Sequence, residues 1–251
     1  MCAHRSHPPA DAGKGAAHGA AHSPAHGTVR GTVLFVHGLW MSGAESFLLK
    51  RHLAAHGWNL RVFPYSSLAE PMPSIAARCA RFAQQLSRRT LAPVHLVGHS
   101  LGGLVIYRMF ETGLLEPDRF SGDFCRVVFM GTPIQGSRSG RALAGIAPLR
   151  ALLGNAGTQE FMQEMPRRWE HKAQLGVIAG DNPHGLGRLL TRLPGPSDGT
   201  VAISETDIAG ATDRCVVHAS HTGLLVNAEA AEQIASFLAS GYFRTMLARA
   251  V

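Results

Sequence analysis

Ser100 is the residue in this sequence whose surroundings point most directly to chemistry. It is the centre of Gly98-His99-Ser100-Leu101-Gly102, a G-x-S-x-G pentapeptide that Gly103 follows. A short apolar run precedes the pentapeptide and apolar residues at helical spacing follow it, which predicts a tight turn from a strand into a helix. Such a turn presents the serine hydroxyl to the free N–H groups at the start of the helix. The pattern therefore predicts a serine nucleophile, with a glycine-rich turn of an ordinary α/β protein as the alternative.

A serine nucleophile needs a base, and three histidines compete for that role. His99 precedes Ser100 in the pentapeptide, and His218 lies inside the last predicted strand, where a histidine is usually a packed or edge residue. His221 lies on the loop just beyond that strand, which is where the base of such a site belongs. Position along the chain therefore favours His221.

A carboxylate must orient the base and stabilise its charged form, and two aspartates could do so. Asp181 directly follows a predicted strand, and Asp198 lies in a later loop with the sequence Ser197-Asp198-Gly199-Thr200-Val201. The orienting carboxylate is expected at a strand end, so position alone leaves both aspartates open.

These candidates depend on a series of apolar segments that alternate with helical patterns, which predicts a mostly parallel sheet flanked by helices. The predicted strands are Gly31–His37, Leu60–Tyr65, Val94–Val97, Cys125–Met130, Gly176–Ala179 and Cys215–His218. Helices are predicted over Ala44–His56, from Pro73 onward, after the pentapeptide and near the C-terminus. The residues expected on their buried faces are Phe47, Leu48 and Leu53, then Ile75, Cys79, Phe82 and Leu86, and last Ile234, Phe237 and Leu238.

The stretch around Ser100 resembles the nucleophile elbow of the α/β-hydrolase superfamily. The order Ser100, Asp198, His221 is that family's order of nucleophile, acid and base, and differs from the orders in chymotrypsin and subtilisin. The resemblance implies a single α/β-hydrolase domain over residues 29–251. Because only about one strand precedes the βαβ unit of the elbow, the N-terminal strands are reduced, as in compact bacterial lipases.

Three further stretches carry the resemblance. Asp198-Gly199-Thr200-Val201 is similar to the acid-bearing DG-x-V stretch of lipases, which favours Asp198 over Asp181. His221 precedes Thr222-Gly223-Leu224, as the family's histidine precedes a Thr/Ser-Gly-Leu stretch. The GTP-x-x-GS stretch at residues 131–137 resembles the segment after the same strand in bacterial triacylglycerol lipases and glycosylphosphatidylinositol deacylase-like proteins.

The resemblance also implies an oxyanion hole, built from two backbone N–H groups. A His-Gly turn after the first shared strand supplies one of them in the family, and here His37-Gly38 would present the N–H of Leu39. The second would come from Leu101, the residue after the nucleophile. Gly38 allows the backbone to turn, although an ordinary strand-to-loop turn has the same signature. We interpret His37 as a structural histidine that hydrogen-bonds the loop backbone.

The segment at about 139–174 does not fit a simple crossover, and we interpret it as a small helical cap over the nucleophile. Helices are predicted around Ala142–Leu153 and Gln159–Trp169. The inner face is expected to contain Ile146, Leu149, Leu152, Leu153, Phe161 and Met162. The cations of the segment are Arg138, Arg141, Arg150, Arg167, Arg168 and Lys172. This combination suits an acyl chain with an acidic head group, and equally an amphipathic helix pair with a solvated outer face.

Composition limits the remaining function classes. The 251 residues carry a formal net charge of +7, but the charges form no run and no nucleic-acid motif is present, so we expect no nucleic-acid partner. No apolar run is long enough to span a membrane. The cysteines, Cys2, Cys79, Cys125 and Cys215, are expected to be reduced thiols rather than a disulfide framework.

Residues 1–28 are rich in Ala, Gly, His and Pro, and they contain few large apolar side chains. Such a segment cannot bury enough surface to offset its ordering entropy, so a disordered tail is predicted. It lacks the apolar core of a secretory signal peptide, which favours a cytoplasmic location. His18, His22 and His26 would chelate a transition metal only on a helix, which the nearby glycines and proline disfavour.

Together with the resemblance, these residues imply a serine hydrolase of the lipase or esterase kind. It would cleave a small-molecule or lipid carboxylic ester through an acyl-enzyme, with no metal or organic cofactor. One alternative is a thioesterase or acyltransferase that uses the same three residues on acyl-pantetheine substrates. Another is a non-enzymatic binding protein with the same fold, which the loss of a site residue would favour.

Overall fold

Six parallel strands form the centre of the fold in the computed structural model, which describes residues 29–91, 93–115, 126–162, 166–185, 193 and 195–245. The strands are β1 (Gly31–Val36), β2 (Trp58–Val62), β3 (Val94–His99), β4 (Val127–Met130), β5 (Leu175–Gly180) and β6 (Asp213–Val217). Their order in the sheet is β2-β1-β3-β4-β5-β6, and each neighbouring pair is parallel. The carboxyl ends of all six strands therefore lie at one edge, where β3, β5 and β6 lead into the candidate loops.

The central strands are hydrophobic because helices cover both faces of the sheet. Every residue of β1, β3, β4 and β5 is buried, whereas β6, at one end of the sheet, alternates between partly buried and exposed positions and is buried only at its last residue, Val217. The helices are α1 (Phe47–Ala55), α2 (Met72–Thr90), α3 (Leu101–Glu111), α4 (Arg138–Ala144), α5 (Ala147–Arg150), α6 (Gly154–Phe161) and α7 (Ala228–Ser240). Shorter 3-10 turns occur at Ala44–Ser46, Ala151–Leu153, Ile203–Glu205 and Gly223–Leu225.

The sequence-based prediction of a mostly parallel α/β sheet is confirmed, and all six predicted strands are present with ends shifted by up to three residues. The prediction for α1 is wrong in its buried face. Phe47 is 67% exposed and Leu48 is 38% exposed, whereas Leu49 and Leu53 are buried. At 100° per residue, Leu49 and Leu53 form one stripe and Phe47 lies on the opposite side of the helix. The predicted tail at residues 1–28, and Cys125, lie outside the described residues.

The described residues of the segment between β4 and β5 contain three short helices instead of the two predicted. The chain turns at Gly154, which has a φ of 62° and packs against the loop between β2 and α2. A Cβ at Gly154 would lie 2.5 Å from the Cα of Leu68 in that loop. Only part of the predicted inner face is buried: Leu153 and Phe161 are buried, but Ile146, Leu152 and Met162 are about half exposed.

A buried ion network attaches α6 to the sheet-covering helix α3. The carboxylate of Glu160 accepts hydrogen bonds from Arg108 Nε at 2.8 Å and from an Arg167 guanidinium nitrogen at 2.7 Å. A second guanidinium nitrogen of Arg167 donates to the carbonyl of Ile134 at 2.8 Å. Removing one partner from such a network would leave a buried charge uncompensated. Arg167, predicted as a cation of the cap, is therefore a structural residue.

His95 is a buried titratable group within the sheet. Its Nδ1 accepts a hydrogen bond from the backbone N–H of Arg126 at 3.1 Å, and Trp58 packs against its edge. Burial lowers the pKa of His95 to about 4, and the Arg126 charge contributes further. Below a pH of about 6.5 the unfolded chain binds the proton that the folded chain excludes, so stability is lost as pH falls toward about 4.

We expect His95→Asn to reduce this acid sensitivity, because the asparagine oxygen keeps an acceptor for Arg126 but does not titrate. Urea unfolding at pH 7 and pH 5 would measure the free energy of unfolding. The loss of stability between these pH values should be smaller than in the wild type by about 1–2 kcal/mol. An unchanged pH dependence in a folded variant would contradict the assignment.

Candidate active site

Ser100 lies at the turn between β3 and α3, in a backbone conformation that is rare for a non-glycine residue. Its φ is 53° and its ψ is −121°, and its backbone N–H donates to the carbonyl of Met130 at 2.9 Å. A Cβ at Gly98 would lie 2.6 Å from the backbone of Gly103, and one at Gly102 would lie 2.0 Å from the carbonyl oxygen of Val36. Glycine on both sides of Ser100 is therefore required because a side chain at either position would clash with the backbone.

Asp198 and His221, predicted from distant parts of the chain, are hydrogen-bonded to each other. Asp198 lies on the loop after β5, His221 lies on the loop after β6, and His221 Nδ1 is 2.7 Å from Asp198 Oδ2. The backbone N–H of His221 also donates to the Asp198 carbonyl at 2.9 Å. Both side chains are buried, with Asp198 1% exposed and His221 8% exposed.

The electrostatics of this pair favour an ionised carboxylate. Burial alone would raise the pKa of Asp198, but the neighbouring His221 and the backbone N–H groups of Thr200 and Val201 lower it to below its usual range. Asp198 Oδ1 accepts those two N–H groups at 2.9 and 2.7 Å. Because Oδ2 accepts the proton on His221 Nδ1, the Nε2 atom of neutral His221 keeps its lone pair and is able to act as a base.

The two rival residues form a separate pair. His218 Nδ1 lies 2.8 Å from Asp181 Oδ1, and their side chains are 76% and 38% exposed. Neither residue lines the cavity that contains Ser100. The third rival, His99, is fully buried, and its Nε2 donates to the backbone carbonyl of His221 at 2.9 Å.

The loop after β1 contains the predicted oxyanion residue Leu39, and several contacts hold the loop in place. The Nδ1–H of His37 donates to the carbonyl of Gly38 at 3.0 Å, in agreement with the structural interpretation of this histidine. The carbonyl of His37 accepts the hydroxyl of Tyr65 at 2.7 Å, and the two rings stack. Leu101 begins α3, so its N–H is one of those without a partner inside the helix.

A cavity of about 260 Å³ opens at this edge of the sheet. Its lining includes Ser100 and His221, and most of the other side chains are apolar. The apolar side chains are Leu39, Trp40, Met41, Pro133, Leu143, Leu153, Phe161 and Val201. The described residues that line it include no Asp, Glu, Lys or Arg. None of the predicted cap cations therefore faces the cavity.

Sequence reasoning missed the part that Trp40 plays in this cavity. Its backbone N–H donates to Ser67 Oγ at 3.1 Å, and its indole Nε1 donates to the carbonyl of Leu152 at 2.6 Å. Trp40 thereby connects the loop after β1 with the segment that contains α4–α6. Only its position two residues after Gly38 could have suggested this role, because both partners are distant in the chain.

Two classes of feature are absent from the described part of the chain. No group of three or more His, Cys, Asp or Glu side chains is arranged to hold a metal ion there. No helix in that part combines the length and the apolar character needed to cross a membrane.

The thiols of Cys79 and Cys215 are both free, and burial raises the pKa of the Cys215 thiol to about 12.

Comparisons with solved structures place this fold among known hydrolases. The mature form of a Bacillus licheniformis lipase, BlEst2, aligns with a TM-score of 0.62 and 17% identity, over 86% of this chain and 94% of that one. A Silicibacter protein described as a putative thioesterase has a TM-score of 0.54 and 17% identity, over 86% and 78% of the two chains. A soluble variant of the monoglyceride lipase from Saccharomyces cerevisiae has a TM-score of 0.55 and 13% identity, over 87% and 88% of the two chains.

The structural alignments show a shared fold, and identities this low do not transfer an activity. A comparison with curated proteins found no match. The family model described as the alpha/beta hydrolase family matches residues 33–248, which include Ser100, Asp198 and His221. The match covers most of the chain, and it agrees with the parallel sheet and with the turn at Ser100. The chain belongs to the alpha/beta hydrolase family.

Proposed function

We propose that this protein is a serine hydrolase that cleaves neutral carboxylic esters through an acyl-enzyme. Ser100 is the nucleophile, His221 the base and Asp198 the carboxylate that orients the base. The observation that carries the proposal is the buried 2.7 Å pair of Asp198 and His221, in which His221 shares an apolar cavity with Ser100.

In the proposed reaction, the Ser100 hydroxyl attacks the ester carbonyl as His221 Nε2 removes its proton. The C–O bond to the leaving group then breaks, and His221 returns the proton to the departing alkoxide. Water adds to the acyl-enzyme by the same two steps, which releases the acid and restores the serine. Asp198 keeps the proton on Nδ1 throughout and stabilises the imidazolium.

The backbone N–H groups of Leu39 and Leu101 are proposed to stabilise the oxyanion of the two tetrahedral intermediates. The N–H of Leu101 is at the start of α3, where backbone N–H groups have no acceptor inside the helix. Leu39 lines the cavity. The stacking of His37 on Tyr65 and the bond from Trp40 to Ser67 support a preorganised loop. Donors that are fixed in advance cost little reorganisation as charge develops.

The cavity favours an uncharged acyl group over an acidic one. A charged head group inside it would be desolvated without an ion pair, because its described lining lacks charged side chains. Arg167, one of the cations that suggested an acidic substrate, is held by Glu160 and Ile134 instead. These observations favour a neutral ester over an acyl-pantetheine thioester on an acidic carrier.

The first test is covalent labelling by a fluorophosphonate, which reacts with an activated serine. We expect Ser100 to be labelled and Ser100→Ala to remain unlabelled, as read by mass spectrometry of the modified peptide. The same variant should lose about four to six orders of magnitude in kcat, with residual catalysis from the oxyanion donors. Labelling that persists in Ser100→Ala would overturn the assignment of the nucleophile.

The second test separates the two candidate acids. Asp198→Asn should lower kcat by about three to four orders of magnitude on a short-chain ester near neutral pH, because an amide donor at this position favours the wrong imidazole tautomer. Asp181→Asn is the matched control, and it should change kcat by less than about threefold, since its carboxylate is separate and partly screened. Circular dichroism would verify folding of both variants. If Asp181→Asn were inactive and Asp198→Asn active, the carboxylate that orients the base would be Asp181 instead of Asp198.

The third test concerns the cavity as the acyl site. Leu143 lines it, so Leu143→Phe should remove space and shift the preference toward shorter chains. We expect kcat/KM to fall about tenfold or more for an octanoate ester and about twofold or less for the acetate ester. Ile146→Phe, at a half-exposed position outside the lining, is the control and should leave the preference unchanged. An equal loss on both esters in Leu143→Phe would contradict an acyl site here.

A further inference from the structure

His99 links the turn that carries Ser100 to the backbone of the proposed base. It is the last residue of β3 and immediately precedes Ser100, and its Nε2 lies 2.9 Å from the carbonyl oxygen of His221. The imidazole rings of His99 and His221 also pack together, with centroids 4.7 Å apart. A single side chain thus connects two parts of the site that are separated by more than a hundred residues in the sequence.

The direction of this hydrogen bond fixes the tautomer of His99. A carbonyl oxygen only accepts, so the proton of neutral His99 is on Nε2. His99 is fully buried, and burial, followed by the neighbouring His221, lowers the pKa of His99 to about 3. His99 therefore remains neutral and keeps the same donor across the pH range in which the proposed base works.

His99 is confined on its other side by the loop that precedes Leu39. A Cβ at Gly38 would lie 3.1 Å from His99 Nδ1 and 3.1 Å from the Cβ of Ser100. The imidazole consequently has little freedom to turn away from His221. In addition, the backbone N–H of His221 donates to the carbonyl of Asp198, so the His221 backbone is held at both its N–H and its carbonyl.

We propose that His99 is a positioning residue, which fixes His221 relative to Ser100 through the Nε2–H···O=C bond. The inference rests on the proposed function, because positioning has a kinetic meaning only if His221 is the base. A base displaced by about 1 Å can cost about a hundredfold in rate, so the bond acts on the chemical step. His99 is one of the residues that line the cavity, but its side chain is fully buried, so substrate binding should depend little on this bond.

The test compares His99→Met, which fills similar space without a donor, with His99→Gln, whose side-chain amide can donate near the Nε2 position. We expect His99→Met to lower kcat about tenfold to a hundredfold with KM changed less than about twofold. His99→Gln should recover most of that loss. The control is His95→Met, a buried histidine four residues earlier in the same strand, which should lose stability without a comparable loss of kcat.

A structural readout separates this inference from the proposed function. In ¹⁵N-histidine-labelled protein, the proton between His221 Nδ1 and Asp198 should give a sharp downfield NMR resonance. We expect it to broaden or shift in His99→Met and to be retained in His99→Gln and His95→Met. If the wild type neither hydrolyses esters nor reacts with a fluorophosphonate, the proposed function is wrong, and this resonance still decides whether His99 holds His221.

Two results would overturn the inference about His99. One is a folded His99→Met with wild-type kcat and an unchanged resonance. The other is an equal loss of kcat in His99→Met and His99→Gln that follows their loss of thermal stability, which would indicate a merely structural role. If His99→Met does not fold, His99→Asn, whose amide is too short to reach His221, takes its place in the same comparison.

Discussion

The close approach of three backbone segments at Ser100 is the constraint on which the rest of the site depends. Gly102 approaches the Val36 carbonyl at the end of β1, and Gly98 approaches Gly103 at the start of α3, both at distances that no side chain would permit. The positive φ of Ser100 costs on the order of 1–3 kcal/mol, which the surrounding buried sheet must offset. This conformation places the Ser100 hydroxyl beside the first N–H groups of α3. It also places Ser100 in the same cavity as Leu39 from the loop after β1.

The parallel sheet completes the arrangement because it brings the ends of distant strands to the same edge. Asp198 follows β5 and His221 follows β6, and these strands are neighbours in the sheet. The loops that carry them are held by local hydrogen bonds: the Asp198 carboxylate accepts the N–H groups of Thr200 and Val201 within its own turn. The position of each side chain therefore depends on both the strand order and the shape of its own loop.

The strands and the turn at Ser100 could be predicted from the sequence because they depend on local patterns. The strands are short apolar runs, and the Ser100 turn depends on glycines within three residues of it. The segment between β4 and β5 was less predictable, since its helix ends depend on packing of Gly154 against Leu68 and on the Glu160 ion network. The His99–His221 and Trp40–Leu152 hydrogen bonds join residues that are distant in the sequence, so no local spacing could predict them.

The uncharged lining of the cavity has a consequence for the end of the proposed catalytic cycle. Ester hydrolysis converts a neutral substrate into a carboxylic acid, which ionises at neutral pH. The described lining contains no arginine or lysine that could pair with this anion. The ionised Asp198 is hydrogen-bonded to His221, which lines the cavity. A carboxylate left there would be poorly solvated and would be repelled by Asp198. If the proposed function holds, the cavity would accept the neutral ester but disfavour the ionised product, so ionisation would promote the departure of the product.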